Sequence, residues 1–247
     1  MQWGENKVLD KINLYLKDGE RIAIVGPSGT GKSTILKILA GLVQPTSGEL
    51  KLFDKKQEYL RLDQVDPPDV RLVFQNPALL GSLTIEENVG FLLRKNRKIP
   101  PAIIKEIVKE CLEEVGLFDV AEKLPNELSG GMQKRVSFAR ALINEDKMLQ
   151  RNNPLLLFDE PTAGLDPIAS SRIEDLINKT NNKVKGSSIV VSHVLSTIER
   201  TSSRILMLYG GKFRWEGSIT DFQTTKNPYV FQFRNGKLRG PMQPKEA

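Results

Sequence analysis

The chain has 247 residues, of which 39% are hydrophobic and 27% charged, and this suits one large globular domain or a core with one inserted lobe. Its apolar runs are too short to span a bilayer as a helix, and its polar first residues predict no secretory signal peptide. The net charge of +6 is compatible with an anionic partner or with a plain solvated surface. Proteins that bind single-stranded nucleic acid often have arginines interspersed with aromatic residues, and this sequence has no such patch.

A strand, a glycine-rich loop and a helix are predicted near the start of the chain. Residues 1–19 predict the end of one strand and most of a second, since residues 8–16 alternate apolar and polar side chains from Ile12 onward. Residues 21–25 are apolar and predict a buried strand, and residues 33–40 have apolar side chains at helical spacing. Between them lies the phosphate-loop pattern G-x-x-x-x-G-K-[ST], formed by Gly26, Pro27, Ser28, Gly29, Thr30, Gly31, Lys32, Ser33 and Thr34.

This phosphate loop has a clear physical purpose. Its glycines let the backbone curl so that successive N–H groups point inward, and the following helix N-terminus adds partial positive charge. Lys32 supplies a full charge for the β- and γ-phosphates, and the hydroxyl of Ser33 is a hard oxygen ligand for Mg²⁺. The alternative is a glycine-rich turn that contains a lysine by chance, and it leaves the flanking strand and helix unexplained.

The middle of the chain changes from strands to helices. Residues 49–53 and 70–74 predict two strands, the second of which ends at Gln75. Residues 85–93 and 102–115 then have helical patterns with no strand between them. A helical block placed between strands predicts an inserted lobe.

Strands and helices alternate again in the second half. Ser129 is a good N-cap for a helix, residues 154–158 predict a buried strand that runs into Asp159 and Glu160, and residues 168–181 predict a helix. A further buried strand at residues 188–191 ends just before His193.

The remaining segments are a loop, a hairpin and a tail. Residues 144–153 are polar and predict a loop, and residues 204–216 predict a hairpin around two glycines. Residues 227–247 are basic and contain three prolines, so we expect them to be extended.

Buried strands that alternate with helices indicate an α/β fold with a mixed or parallel sheet, in which ligand-binding loops lie at the carboxyl ends of the strands. Four residues with functional side chains or backbone follow such strands: Gly26, Gln75, Asp159 and His193. This is the arrangement that a phosphoryl-transfer site requires.

Three further features add chemistry, and each has a plain structural alternative. Asp159 can bind Mg²⁺ directly or accept a hydrogen bond from a water bound to Mg²⁺, and Glu160 can polarise an attacking water. Both residues could instead belong to an ordinary strand-end turn. His193, the only histidine, can donate to the γ-phosphate or be structural. Ser129, Gly130 and Gly131 can offer backbone N–H groups to an anion or simply cap a helix.

Taken together, these residues resemble the ATP-binding-cassette (ABC) ATPases over nearly the whole chain. The resemblance implies a P-loop NTPase core with an inserted α-helical subdomain, a dimer that sandwiches ATP, and Mg²⁺ held by Ser33, Gln75 and Asp159. It also implies that Trp3 stacks on adenine, although Trp3 could be a surface tryptophan. The matching motifs are residues 26–34 (Walker A), Gln75 (Q-loop), residues 128–132 (signature), residues 155–160 (Walker B), Leu165 and Asp166 (D-loop) and His193 (switch histidine).

A finer resemblance is to the ATPases of the Mla/MCE lipid-transport systems. It rests on residues 74–89, residues 128–135 and residues 227–236, much of which lies outside the shared motifs. The resemblance implies an integral-membrane permease and an MCE-type substrate-binding protein as partners. It also implies a peripheral place on the cytoplasmic side of the inner membrane or on the stromal side of a plastid envelope.

We therefore expect an ATP-hydrolysing transporter subunit for lipid. We expect residues 1–226 to form the ATP-binding domain, with a helical subdomain at about 76–143, and residues 227–247 to form a tail. An importer ATPase for an amino acid or ion is the alternative. A cassette protein acting on nucleic acid or ribosomes is disfavoured because it usually has two cassettes or long coiled-coil insertions, and a non-catalytic subunit is disfavoured because Glu160 and the signature residues are present.

Overall fold

The computed structural model describes residues 1–4, 6–95, 99–143 and 153–243. Its strands are β1 (Gln2–Trp3), β2 (Asn6–Lys7), β3 (Arg21–Val25), β4 (Lys51–Leu52), β5 (Lys55–Lys56), β6 (Val70–Val73), β7 (Leu155–Asp159), β8 (Ser187–Val191), β9 (Arg204–Tyr209) and β10 (Lys212–Ser218). Its α-helices are α1 (Lys32–Leu39), α2 (Ile85–Val89), α3 (Pro101–Glu114), α4 (Gly130–Leu142), α5 (Pro167–Val184), α6 (Leu195–Thr201), α7 (Ile219–Thr224) and α8 (Pro228–Arg234). Short 3-10 turns lie at Arg61–Asp63, Leu93–Lys95 and Pro125–Glu127.

Six strands form the central sheet, in the order β10-β9-β3-β8-β7-β6. β9 and β10 pair antiparallel, while every other neighbouring pair in this sheet is parallel. The carboxyl ends of β3, β6, β7 and β8 therefore lie along one edge, where ligand loops of α/β sheets are found. The predicted α/β class with a mixed, mostly parallel sheet is confirmed.

The sheet is buried on both faces because helices cover each side. On one face Phe158 stacks on Phe138 of α4 with ring centroids 5.4 Å apart, and α5 adds Ile173 and Ile177 to the same cluster. On the other face Ile35 and Leu36 of α1 pack with alternate residues of β3, β7 and β8. Such two-sided burial explains why these strands are continuous apolar runs in the sequence.

The helices predicted between β6 and β7 are present. Thr84 caps α2 in a capping box, Pro101 is the first residue of α3, and Ser129 caps α4 by accepting from the N–H of Met132. No strand occurs among residues 74–143 as far as they are described.

The loop predicted at 144–153 lies, except for its last residue, outside the described residues. None of the described helices combines the length and the apolar character needed to cross a bilayer.

Two strand predictions in the first half need correction. Residues 8–16 show the predicted alternation of burial, with Leu9 buried, but they are not a strand, since they form no hydrogen-bonded ladder with any described strand. Alternation reports burial on one side, which an irregular segment lying along a sheet can also provide. The strand predicted at 49–53 is shorter because Phe53 and Asp54 both have positive φ and form the turn from β4 to β5.

The prediction that residues 227–247 are extended is wrong for their first part, which is helix α8. Asn227 caps this helix by accepting from the N–H groups of Tyr229 and Val230, and Pro228 is its first residue. A proline at that position fixes the φ that the helix needs, so here it begins a helix. The buried side chain of Gln232, within this helix, donates to the carbonyl oxygen of Met242 and accepts from its N–H, at 2.7 Å each.

Replacing Met242 with alanine is expected to lower the free energy of unfolding by about 2 kcal/mol, because the Met242 side chain is 5% exposed within the cluster of Phe222 and Val230. Urea denaturation followed by circular dichroism would measure the change. Leu238→Ala is the control, since Leu238 is 89% exposed and its loss is expected to stay within about 0.5 kcal/mol. Equal effects of the two substitutions would contradict the packing of the tail.

Candidate functional site

The phosphate loop leaves β3 and runs close to Leu208 of β9 and to Leu9. Gly26 has φ +148°, and a Cβ there would lie 2.2 Å from the carbonyl oxygen of Leu208. Gly31 has φ +100°, and its Cβ would lie 2.8 Å from the side chain of Leu9. Neither position tolerates a side chain without displacement, so both glycines are needed for the tight curl of the loop.

Lys32 is a buried cation at the centre of this loop. Lys32 is 7% exposed, and its Nζ donates to the carbonyl oxygens of Gly26 at 2.8 Å and Pro27 at 2.9 Å. Burial lowers the pKa of Lys32, while the carboxylates of Glu160 and Asp159 oppose this shift. A lysine ammonium enclosed by a glycine loop at a helix N-terminus is suited to bind phosphate groups.

Ser33 and Asp159 place two oxygen atoms together beside Lys32. Ser33 Oγ donates to Asp159 Oδ1 at 3.0 Å, although the two residues are 126 positions apart in the chain. Burial raises the pKa of Asp159, the hydrogen bond from Ser33 lowers it, and Glu160 raises it further. A hydroxyl and a carboxylate are oxygen ligands that Mg²⁺ uses together with substrate phosphates, so this donor set fits the ion.

Glu160 and His193 form a second pair, at the ends of β7 and β8. His193 Nδ1 lies 2.9 Å from Glu160 Oε2, and the backbone N–H of His193 donates to the same oxygen at 3.4 Å. Glu160 has φ +46°, which costs a side-chain-bearing residue about 1–3 kcal/mol, and its N–H bonds Val191 O at 2.9 Å. The strained backbone and the contact with His193 together fix the direction of the carboxylate.

Other predicted residues are not brought together by the structure. Gln75 is exposed two residues after β6, and no hydrogen bond joins it to Ser33 or Asp159 in the described part of the chain. Ser129 and Gly130 are exposed at the start of α4, and among the described residues no hydrogen bond connects them to the phosphate loop. Trp3 lies in β1, but its side chain is outside the described part.

A buried polar network beside the site has no counterpart in the sequence analysis. Thr162 Oγ1 and Thr197 Oγ1 are 2.8 Å apart, and Thr197 donates to Glu174 Oε1 at 2.8 Å. Glu174 also pairs with Arg200 at 3.0 Å. No spacing rule predicts this network, because its members come from three elements that only the fold brings together.

Comparison with known proteins agrees with this geometry. The family model "ABC transporter" matches residues 9–163. Protein TRIGALACTOSYLDIACYLGLYCEROL 3, chloroplastic, from Arabidopsis thaliana is 46% identical over 97% of this chain and 72% of its own length. The intermembrane phospholipid transport system ATP-binding protein MlaF from Haemophilus influenzae is 35% identical over 97% of this chain and 89% of its own length.

A solved structure supports the same assignment. The dimeric post-hydrolysis state of the ATP-binding cassette MJ0796 bound to ADP and Pi has a TM-score of 0.75 and 32% identity, over 89% of this chain and 94% of that chain. The fold, the phosphate loop and both sequence relatives thus point to one family. The chain belongs to the ABC transporter family and is an ATP-binding subunit, an ATPase coupled to transport.

Proposed function

We propose that this ATPase subunit drives the movement of phospholipid or a related lipid, as part of an Mla/MCE-type transporter. The observation that carries the proposal is the likeness, over 97% of the chain, to two relatives whose names refer to lipids, a galactolipid in one and a phospholipid in the other. The segments at 74–89 and 227–236 support it, since they resemble that subfamily outside the shared cassette motifs. An importer ATPase for an amino acid or ion is the second candidate, because the same site chemistry would serve it.

In the proposed site, each residue near the carboxyl end of a strand has its own role in binding or hydrolysing ATP. Lys32 and the backbone of residues 26–34 bind the phosphates of ATP, and Ser33 and Asp159 hold Mg²⁺, with Gln75 completing the shell. Magnesium, when bound, neutralises charge on the β- and γ-phosphates. Glu160 accepts a proton from the attacking water, and His193 holds the Glu160 carboxylate in place and donates to the γ-phosphate.

The proposed active state is a dimer of two copies of this chain. Ser129 and Gly130 are exposed at a helix N-terminus, where free N–H groups and the helix dipole favour an anion. Together with Gly131 they would contact the ATP held by the partner copy. The dimeric form of the similar cassette, solved with ADP and Pi, supports this arrangement. Trp3 would stack on the adenine ring.

The proposed partners are an integral-membrane permease and an MCE-type substrate-binding protein, and nucleic acid is not among them.

The domain division stays as proposed from the sequence, with residues 1–226 as the ATPase domain and residues 227–247 as a tail. The chain would lie peripherally on the cytoplasmic side of the inner membrane. The stromal side of a plastid envelope is the alternative, which the chloroplastic Arabidopsis relative favours.

Affinity purification of the tagged full chain from its native membranes is expected to recover a multispanning permease and an MCE-domain protein. Mass spectrometry would identify both, and lipid extraction of the same sample is expected to show phospholipid or galactolipid above a mock purification. Recovery of a solute receptor for an amino acid or ion in place of the MCE protein would contradict the lipid assignment. Recovery of ribosomes or nucleic acid would contradict the transporter role as well.

A further inference from the structure

Two segments leave the sheet beside the pair of Glu160 and His193 and then separate. β7 and β8 pair in parallel up to Asp159 and Val191, and the N–H of Glu160 still donates to Val191 O at 2.9 Å. Beyond that point the ladder ends, since the chain after Glu160 forms a turn and the chain after His193 forms α6. The position of Glu160 relative to His193 therefore depends on the contacts that join these two segments.

The contact between Glu160 and His193 is too exposed to fix the two segments. The His193 side chain is 58% exposed, and water competes for both partners of such a contact. The helix that follows, α6, has only seven residues, and its N-cap, Val194, makes no side-chain hydrogen bond to it. A helix of this length is unstable unless other elements hold it. The start of α6, and with it His193, is therefore positioned by tertiary contacts.

Two threonine hydroxyl groups join the segments. Thr162 lies two residues after Glu160, Thr197 lies four residues after His193, and their Oγ1 atoms are 2.8 Å apart. Thr162 is 2% exposed and Thr197 is fully buried, so no water replaces this bond when it breaks. A hydrogen bond in such surroundings is stronger than one at the surface. The bond ties the turn after Glu160 to the first turn of α6.

Glu174 of α5 anchors this bond and fixes its direction. Thr197 donates its only hydroxyl proton to Glu174 Oε1 at 2.8 Å, so Thr162 is the donor to Thr197. Glu174 is 1% exposed, and it also accepts from Ser196 and Arg200, each at 3.0 Å. All three donors to Glu174 lie on α6. The carboxylate therefore holds α6 and leaves the Thr197 hydroxyl in one orientation, in which it accepts from Thr162.

We propose that Thr197 is a positioning residue for ATP hydrolysis, which sets the separation of Glu160 and His193 through its hydrogen bond with Thr162. This rests on the proposed function, in which Glu160 takes a proton from water and His193 holds the Glu160 carboxylate. Thr197 acts through these residues and not on ATP, since it is fully buried and its hydroxyl is engaged by Thr162 and Glu174. Loss of this hydroxyl lets the contact between Glu160 and His193 lengthen and leaves the phosphate loop in place.

The test compares Thr197→Val, Thr162→Val and Thr197→Ser with the unmodified full chain in its isolated transporter complex. Valine has nearly the shape of threonine but no hydroxyl group, so Thr197→Val is expected to lower kcat about tenfold, as loss of one aligning hydrogen bond would. KM, and equilibrium ATP binding measured with EDTA, are expected to stay within about threefold because the phosphate loop is unchanged.

The other two variants report on the same bond. Thr162→Val breaks it from the other side and is expected to lower kcat as much, and the double variant is expected to be no slower than either single one. Thr197→Ser keeps the hydroxyl group and is expected to keep most of kcat. A Thr197→Ser chain as slow as Thr197→Val would assign the effect to the lost methyl group and overturn the inference.

Thr201→Val is the matched control for stability. Thr201 lies on the same helix, is 2% exposed, and its hydroxyl also makes one hydrogen bond, to Thr197 O at 2.6 Å. This substitution is expected to lower the thermal unfolding temperature about as much as Thr162→Val does, while kcat stays within about twofold. An equal loss of kcat in Thr201→Val would show that turnover follows stability, and it would overturn the inference.

A His193→Ala background tests whether Thr197 acts through the pair. Thr197→Val is expected to lower kcat no further in a chain that lacks the imidazole, as single-turnover phosphate release would show. An additional tenfold loss there would overturn the inference, as would an unchanged kcat in Thr197→Val or, if that chain does not fold, in Thr162→Val. Normal hydrolysis by His193→Ala alone would instead contradict the proposed role of His193, and this inference with it.

Discussion

A Glu160→Gln chain is expected to bind ATP with an affinity within about threefold of the unmodified chain, yet to turn it over at least about a hundredfold more slowly. Glutamine has nearly the same shape as glutamate, but its amide cannot take a proton from water. The substitution therefore removes the base and leaves the phosphate loop and the Ser33–Asp159 pair in place. Steady-state phosphate release and equilibrium binding of a fluorescent ATP analogue would give the two numbers.

The position of Glu160 explains why the loss should fall on turnover. Its carboxylate is 2.9 Å from His193 Nδ1, and its left-handed backbone places it just beyond the Asp159 carboxylate. Glu216→Gln is the control, since Glu216 pairs with Arg204 at the sheet edge formed by β10. That substitution is expected to leave turnover within about twofold, as is usual for an exposed pair. Normal hydrolysis by the Glu160→Gln chain would remove Glu160 from the role of base.

The parts of the fold that the sequence predicted best are those buried on both sides. β3, β7 and β8 are short apolar runs, and each is followed directly by a site residue or loop, so their ends could be located to within one or two residues. The helix starts at Pro101 and Ser129 were equally clear because proline and serine have defined capping geometry. A continuous apolar run and a capping residue are local features of the sequence, so the elements that they mark can be deduced from it.

The errors arose where the outcome depended on a distant partner. Residues 8–16 have the alternation of a strand, but they pair in no sheet of the described residues, and whether a ladder forms depends on the backbone of a distant segment. The prolines and charge of the tail predict an extended segment, whereas its helix is stabilised by packing of Val230 against Phe222 and by the contacts of Gln232 with Met242. Neither partner is adjacent in sequence.

The candidate site was predicted from motif order, and the structure joins only part of it. Lys32, Ser33, Asp159, Glu160 and His193 lie together because parallel strands place their carboxyl ends at one edge. The contact of Lys134 Nζ with the carbonyl oxygen of Ala163 could not be predicted, because nothing in the sequence indicates which face of α4 meets that residue. The positions of Gln75 and Ser129–Gly131 relative to ATP remain predictions.

Loss of Lys32 is expected to have the second large effect, this time on binding. Lys32→Ala is expected to weaken ATP affinity by about a hundredfold or more, since removal of one partner of a buried charge contact costs about 3 kcal/mol. Isothermal titration calorimetry with ATP, with and without Mg²⁺, would measure it. Lys37→Ala is the matched control, because Lys37 lies on the same helix but is exposed. The ATP affinity of the Lys37→Ala chain is expected to change less than threefold.

Lys32→Arg separates charge from geometry at the same position. The loop that holds Nζ is closed around the carbonyl oxygens of Gly26 and Pro27, within 2.9 Å, and a planar guanidinium group does not fit where a compact ammonium group does. Arginine is therefore expected to bind ATP nearly as poorly as alanine. If Lys32→Arg bound normally, any cation would suffice, and the close curl at Gly26 and Gly31 would not be the feature that selects phosphate. If Lys32→Ala bound normally, the phosphate loop would not be the ATP site.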